Sequence, residues 1–408
     1  MKTALPTLAE SLGLPAIGYV KSGEALPAPS LLRNLARSGP LLREAVAGGD
    51  VGTLKTMLGP AWRSLLQQRG KREEATVLRL DHAAHFDWGY RRDQPEMRRL
   101  YEVAKTSQWN GSTDLDWSKS VDPENWERPL LPFDFLPVAP LPAFQRLSPA
   151  NKAKMSHRLA AWLLSQFLHG EQGALFASAQ VVQAVPWMDA KLYGSTQVVD
   201  EGRHVEVFHR YVAEKLQRVY QINDNLYVVI DALMTDSRWD LKFLGMQIMI
   251  EGLALGAFGF MRQATQEPLL KQLLTYVITD EARHVHYGVL ALEKHYRENL
   301  SESERREREE WAFQVAVLLR NRFFAHELWE EGWSHEVTRK EWEALILSSK
   351  MMGAFRDTMF KRLIPNLKRI GLLSDRVRPR YQALGLLAYE QLKAAPDLTA
   401  QDLVEDRS

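Results

Sequence analysis

The chain has 408 residues, 45% of them hydrophobic and 25% charged, with 52 basic and 51 acidic side chains and a formal net charge of +1. It is long enough to bury a large core, and its balanced charge argues against nucleic acid or an anionic membrane as the main partner. It has no cysteine. That excludes disulfides, thiolate metal sites and cysteine nucleophiles, and leaves nitrogen and oxygen as the only metal ligands.

The first residues, MKTALPTLAESLGLPAIGYV, are interrupted by prolines and charges and do not read as a secretory signal. Residues 1–75 read as short helices joined by Pro and Gly. Residues 95–109 read as a further helix, and 110–150, rich in Asp, Pro and Trp, as a wrapping stretch. Residues 1–147 are thus expected to form an N-terminal helical and wrapping segment. The strongest helical periodicity comes next, at about 148–185 (stopped by Pro186), 187–220, 224–234, a helix capped by Asp236 or Ser237 and running to about 264, and 268–299 opening on Pro268. Residues 148–300 are read as the core. Residues 301–395 are accessory helices: a highly charged one capped by Ser301 or Ser303 and a last pair over about 338–395. Residues 396–408 are read as a flexible tail. The apolar stretches at 159–168 and 246–261 are broken by Gln, Glu and Gly. They fall short of the roughly 18 clean residues of a membrane span, so no span is expected and the chain is read as cytoplasmic.

One motif occurs twice. VVDEGRHVEV at 198–207 and ITDEARHVHY at 278–287 both contain Asp-Glu-x-Arg-His. In each, Glu and His (Glu201 and His204; Glu281 and His284) stand about 60° apart on a helix and can point the same way. A third Glu-x-x-His, Glu206 to His209, lacks the Asp and Arg and lies about 140° round the helix from Glu201. Thirty residues before Glu201 stands Glu171, and thirty before Glu281 stands Glu251, each alone in an apolar helix. A buried, unpaired carboxylate is costly and needs a compensating partner, of which a metal is one. Pro186 lies midway between Glu171 and Glu201, and Pro268 near the midpoint of 251 and 281. Each pair therefore reads as a helical hairpin, and the stretch from His204 to Glu251 as the long crossover joining them. Four Glu and two His meet at one point, which is the ligand set of ferritin-like di-metal carboxylate bundles.

This set resembles that of ferritin-like non-haem di-iron enzymes over about 148–300. They include the hydroxylase subunits of bacterial multicomponent monooxygenases, p-aminobenzoate N-oxygenases, acyl carrier protein desaturases and ribonucleotide reductase small subunits. LYEVAKTSQWNGSTDLDWS at 100–118 is similar to the region before the core in larger di-iron oxygenases. The resemblance implies an all-α protein: a ferritin-like four-helix bundle core with a long crossover, extended by N- and C-terminal helices. It implies two iron ions, or a manganese–iron pair, held by Glu171, Glu201, His204, Glu251, Glu281 and His284. Asp200 and Asp280 would each accept a hydrogen bond from the ligand histidine of the opposite hairpin, and Arg203 and Arg283 would neutralise the buried acids. Three positions depart from the relatives. Phe208 stands where reductase subunits carry a radical tyrosine, and Leu255 where monooxygenase hydroxylases carry a threonine. Val277 stands where p-aminobenzoate N-oxygenases carry an extra histidine, so six ligands are expected rather than seven.

The activity implied is that of an O2-dependent monooxygenase that hydroxylates or N-oxygenates a small organic substrate, free or bound to a carrier or CoA. Its electrons would come from an external reductase or ferredoxin. A fatty-acyl desaturase on the same site is the alternative, and a ferroxidase or metal-binding protein without organic turnover is the alternative of another class. A homodimer is an option. His169, His209 and His286 lie off the ligand face, and His82 with His85 reads as a loose pair rather than a second metal site. Gly245, Gly252, Gly256 and Gly259 are read as close helix packing in preference to a channel. Ala174, Leu175, Ala254 and Leu255 suit either a pocket wall or plain core.

Overall fold

The computed structural model describes residues 19–20, 51–71, 75–80 and 82–405. Most of the short helices expected before residue 51 lie outside the described residues. Helix α1 (Val51–Ala61) and helix α2 (Pro95–Thr106) precede the core. Helix α3 (Pro149–Ala184) starts where Ser148 accepts the Asn151 N–H, and Pro186, which has no N–H to donate, follows its end. Helix α4 (Met188–Arg210) continues through one wide turn to Lys215. The helix expected to reach 220 stops there. Gln217 has a positive φ of 52°, and Val219–Tyr220 is extended and pairs in parallel with Tyr19–Val20.

Helix α5 (Asp224–Thr235) lies in the crossover. Helix α6 (Trp239–Ala264) is capped by neither Asp236 nor Ser237. Arg238 takes that position, and Asp236 accepts the Arg238 N–H at 2.9 Å. Its middle, Leu244–Ile250, is wound as π-helix immediately before Glu251. Helix α7 (Pro268–Lys294) opens on the Glu267 carboxylate, which accepts the N–H groups of Leu269 and Leu270.

Helix α8 (Glu302–Asn321) begins at a reciprocal Ser301–Glu304 capping box, and helix α9 (His326–Gly332) follows. The pair expected over 338–395 is more broken than periodicity indicates. Helix α10 (Arg339–Ser348) ends at Ser349, whose hydroxyl caps helix α11 (Lys350–Arg369), and Gly371 at φ 86° turns the chain out of helix. The expected flexible tail is docked as far as Glu405. Helix α12 (Ala400–Glu405) buries Leu403, and Arg262 donates to the Val404 carbonyl at 3.1 Å.

The fold is all-α, with α3 and α4 as one hairpin and α6 and α7 as the other, sharing one continuous apolar core. By length and mean hydropathy (1.5) α6 does meet the measure of a membrane span, contrary to the reading of 246–261, but 94% of that window is buried inside the bundle. A helix apolar all round is a core helix when others surround it, as α7, α8 and α11 do here. Close approach requires glycine at two positions of its stripe. A Cβ on Gly245 would meet Trp311 at 2.8 Å, and one on Gly256 would meet the Thr358 carbonyl oxygen at 2.4 Å. Backbone cannot yield as a side chain can, so Gly256→Ala is expected to cost about 1–3 kcal/mol by forcing α6 and α11 apart. Denaturant unfolding checks this, and an unchanged midpoint would refute it.

Candidate metal centre

The two hairpins bring the repeated motifs face to face. Glu171 comes from α3, Glu201 and His204 from α4, Glu251 from the first α-helical turn after the π segment of α6, and Glu281 and His284 from α7. All six side chains are buried. Donor atoms of Glu171, Glu201, His204 and Glu281 lie within 4.8 Å of one another, and so do those of Glu201, Glu251 and His284. The halves mirror each other. His204 Nδ1 is 3.2 Å from Glu281 Oε1, and His284 Nδ1 is 3.1 Å from Glu201 Oε1.

Each imidazole turns its other nitrogen away, to the aspartate of the opposite hairpin: His204 Nε2 to Asp280 at 3.2 Å and His284 Nε2 to Asp200 at 3.2 Å. A proton held there on Nε2 leaves Nδ1, once deprotonated, as the nitrogen that would face a cation among the carboxylates. Arg203 bonds Asp200 at 2.5 Å and Asp280 at 3.1 Å, while Arg283 bonds Asp280 at 2.5 Å and Asp200 at 3.3 Å. These two arginines and two aspartates form a closed square that ties α4 to α7 and neutralises itself.

The centre itself carries no such balance. Burial first, and then neighbouring carboxylates, push Glu171 and Glu251 well above the usual carboxylate range. Burial would also raise Glu201, but the His284 and His204 imidazoles outweigh it and hold Glu201 below that range. Burial would lower His204 and His284, but the carboxylates and aspartates around them raise both well above an ordinary histidine. Among the described residues, Glu201 Oε2, Glu251 Oε2 and both carboxylate oxygens of Glu281 are buried without a hydrogen-bond partner. Unsatisfied buried oxygens are rare in folded proteins. Grouped around two imidazole nitrogens, they fit a pair of cations that prefer oxygen and nitrogen donors.

Several partners carry no motif in the sequence. Gln197 donates to Glu201 Oε1 and Glu251 Oε1, each at 3.1 Å, and accepts from Gln247 at 3.3 Å. Gln197 and Gln247 each stand four residues before a converging glutamate, a helical turn that brings them to its face. Trp109 Nε1 donates to Asp280 at 2.7 Å, and Gln108 donates to Asp200 at 3.1 Å, so the 100–118 segment buttresses both aspartates. Gln197→Leu is expected to weaken metal binding about 10–100-fold, the range for removal of a group that orients ligands. Competition with a chelator measures it, and unchanged affinity would remove Gln197 from the centre.

Val277 is buried and offers no donor. His169 bonds the Tyr220 carbonyl and His82 the Gln183 side chain. His209 and His286 are half-buried, and neither belongs to a donor cluster among the described residues. A small cavity adjoins the centre. Its lining includes Phe167, Glu171, Ala174, Glu251, Ala254 and Glu281, but not Leu175 or Leu255.

No curated protein sequence matches the chain. Among solved structures, an R2-like ligand-binding oxidase with aerobically reconstituted Mn/Fe cofactor (long soak) is similar at 18% identity and TM-score 0.45, over 72% of this chain and 99% of that one. An R2-like ligand-binding oxidase with aerobically reconstituted metal cofactor after photoconversion is similar at 20% identity and TM-score 0.42, over 68% and 93%. The family model described as P-aminobenzoate N-oxygenase AurF matches residues 92–330, more than half of the chain and all four helices of the centre, so the chain belongs to that family and with it to the O2-dependent di-iron oxidoreductases of ferritin-like fold.

Proposed function

We propose that this protein binds two iron ions, or a manganese–iron pair, through Glu171, Glu201, His204, Glu251, Glu281 and His284. With them it oxygenates a small organic substrate at carbon or nitrogen, using O2 and electrons from an external donor protein. One observation carries the reading: four buried glutamates and two imidazoles meet at one point, with carboxylate oxygens that no group among the described residues satisfies. When bound, two adjacent redox-active ions supply electrons to O2 together, chemistry that no side chain provides.

The chain's own groups have distinct tasks. Glu201 and Glu281, each close to both imidazoles, would contribute to holding both ions. Glu171 with His204 would complete one position, and Glu251 with His284 the other. Asp200 and Asp280 hold the proton on each Nε2 and fix the ring orientation. Phe167, Ile250, Ala254 and Phe258 wall the adjoining cavity with apolar surface, which would keep water from the centre and favour an organic group beside it.

The test is single turnover of the iron-loaded, chemically reduced protein with isotopically labelled dioxygen across a panel of amines and hydrocarbons. Label in an organic product supports the oxygenase. Iron that is taken up and oxidised while no compound acquires label would instead favour the ferroxidase.

A further inference from the structure

A second cavity lies farther along α3. Its wall includes Leu159, Trp162 and Leu163 of α3, Phe323 of the turn that ends α8, and Leu328 of α9. Little of the chain separates it from the cavity beside the metal centre. On α3 the boundary falls between Leu163 and Phe167, which share a helix face four residues, about 6 Å, apart. On the turn it falls between Phe323, in the outer wall, and Arg322, in the inner one. Access differs sharply between the two. Every residue lining the inner cavity is buried. The outer cavity reaches the surface, where Met155, Arg158, Leu328 and Gly332 of its wall are half-buried.

The mouth of the outer cavity carries little free charge. Arg158 and Glu331 stand 3.7 Å apart there, and Glu331 also accepts the Tyr220 hydroxyl at 2.6 Å and pairs with Arg218. Behind the mouth the wall is largely aromatic and aliphatic, a surface suited to the apolar part of an organic molecule. Trp162 Nε1, in that wall, is buried without an acceptor among the described residues. Unmet buried donors are rare, and this one gives the wall a polar handle.

Helix α9 forms one side of this cavity and is loosely anchored. None of its own residues is buried. Polar contacts hold it instead: Asn223 donates to Glu327 at 2.9 Å, His326 meets Glu343 at 2.8 Å, and Trp329 donates to the Val337 carbonyl at 2.8 Å. A segment with few buried apolar contacts opens at low cost. Its first turn hangs on Ala325, whose φ of 46° and ψ of 49° are left-handed, a conformation unfavourable for a residue with a Cβ.

We propose that the outer cavity is the entry vestibule of the metal centre: an organic substrate is taken up there by its apolar part and passes between Leu163 and Phe323 to the inner cavity, while α9 yields at Ala325. The proposal rests on the reading of the inner cavity as the reaction site.

Phenol tests it, because oxygen ligation of ferric iron by phenol gives a visible charge-transfer band. The band is followed by stopped flow on the iron-loaded, oxidised protein, and iron content and the band formed with azide report on the centre itself. In Leu163→Trp the indole obstructs the vestibule. Association and dissociation of phenol are expected to slow together, by about tenfold or more, with Kd, iron content and the azide band unchanged. An obstacle on a route raises the barrier in both directions and leaves the end states alone. Phe323→Ala is expected to speed both steps. Leu328→Trp repeats the obstruction from the half-buried side of α9 and carries the test if Leu163→Trp does not fold. Unchanged phenol kinetics in the obstructed variants would overturn the proposal. So would weaker binding through faster dissociation alone, which marks an effect on the bound state rather than on passage. A wild type that holds iron and binds azide but gives no phenol band overturns the vestibule alone. A wild type that takes up no iron overturns the metal-centre reading and the vestibule with it.

Discussion

Glu251→Ala and His284→Ala are expected to lose most of their metal and their O2-dependent activity while keeping their helix content. Removing a group that merely orients a ligand costs about 10–100-fold in metal affinity, and removing a ligand should exceed that range. Glu251 and His284 lie in the same donor cluster with Glu201, so either loss leaves one metal position with a depleted donor set. The bundle does not depend on them. It is held by a continuous apolar core, and the charged form of Glu251 is disfavoured by burial and by the neighbouring carboxylates in the metal-free protein. Elemental analysis after gel filtration, together with circular dichroism, separates the two effects. Full metal occupancy in both variants would refute the ligand assignment. Loss of helix along with loss of metal would show that these residues are needed for the fold itself.

The second large effect is on pH. In the metal-free protein His204 and His284 are raised well above their ordinary values, and so are Glu171 and Glu251. A raised histidine binds a proton that the unfolded chain has released. Its stabilising contribution is therefore full below the ordinary histidine value of about 6.5 and is lost as pH rises through the folded value. The raised glutamates act in the same direction, because above their unfolded values the folded state must either hold protons or crowd charges. A metal needs these same groups deprotonated, so loading must expel protons. Affinity for ferrous or manganous ion should therefore rise from about pH 6 to about pH 8, by up to about tenfold per pH unit for each proton displaced. The melting temperature of the metal-free protein should fall over the same interval. Titration in buffers of different ionisation enthalpy counts the protons. Flat affinity with no proton release would mean that the donor groups are already ionised, contrary to the electrostatics of the cluster.

The centre was legible because its chemistry is periodic. A helix repeats its face every three to four residues, so Asp-Glu-x-Arg-His written twice, each with a lone carboxylate thirty residues earlier, already specifies two hairpins and their meeting point. Of the caps read from sequence, Ser301, one of two candidates with Ser303, does cap its helix, because a hydroxyl before a helical run can accept its first N–H groups, whereas neither Asp236 nor Ser237 takes the cap position of α6. What stayed hidden was set by tertiary contact. Gln197 and Gln247 are neutral residues of ordinary helix propensity, and only the facing hairpin lets Gln197 donate to Glu251 and Gln247 donate to Gln197. Gln108 and Trp109 reach the aspartates across more than ninety residues of chain. Periodicity also ran α4 too far. Nothing in its pattern marks Gln217, whose left-handed backbone turns the chain into an extended pair. The docking of α12 likewise depends on Leu403 finding the surface of α6 and α7.

The central claim is that these six buried groups hold two metal ions that react with O2. The most direct measurement is Mössbauer spectroscopy of the protein loaded anaerobically with ferrous ion, before and after a timed exposure to O2, on wild type and Glu251→Ala together. The account predicts two ferrous ions per wild-type chain in nitrogen and oxygen ligation, both oxidised by O2 faster than iron in buffer, and fewer than two in the variant. Ferrous ion that stays in solution, or binds equally in both proteins and reacts with O2 no faster than free iron, would contradict it.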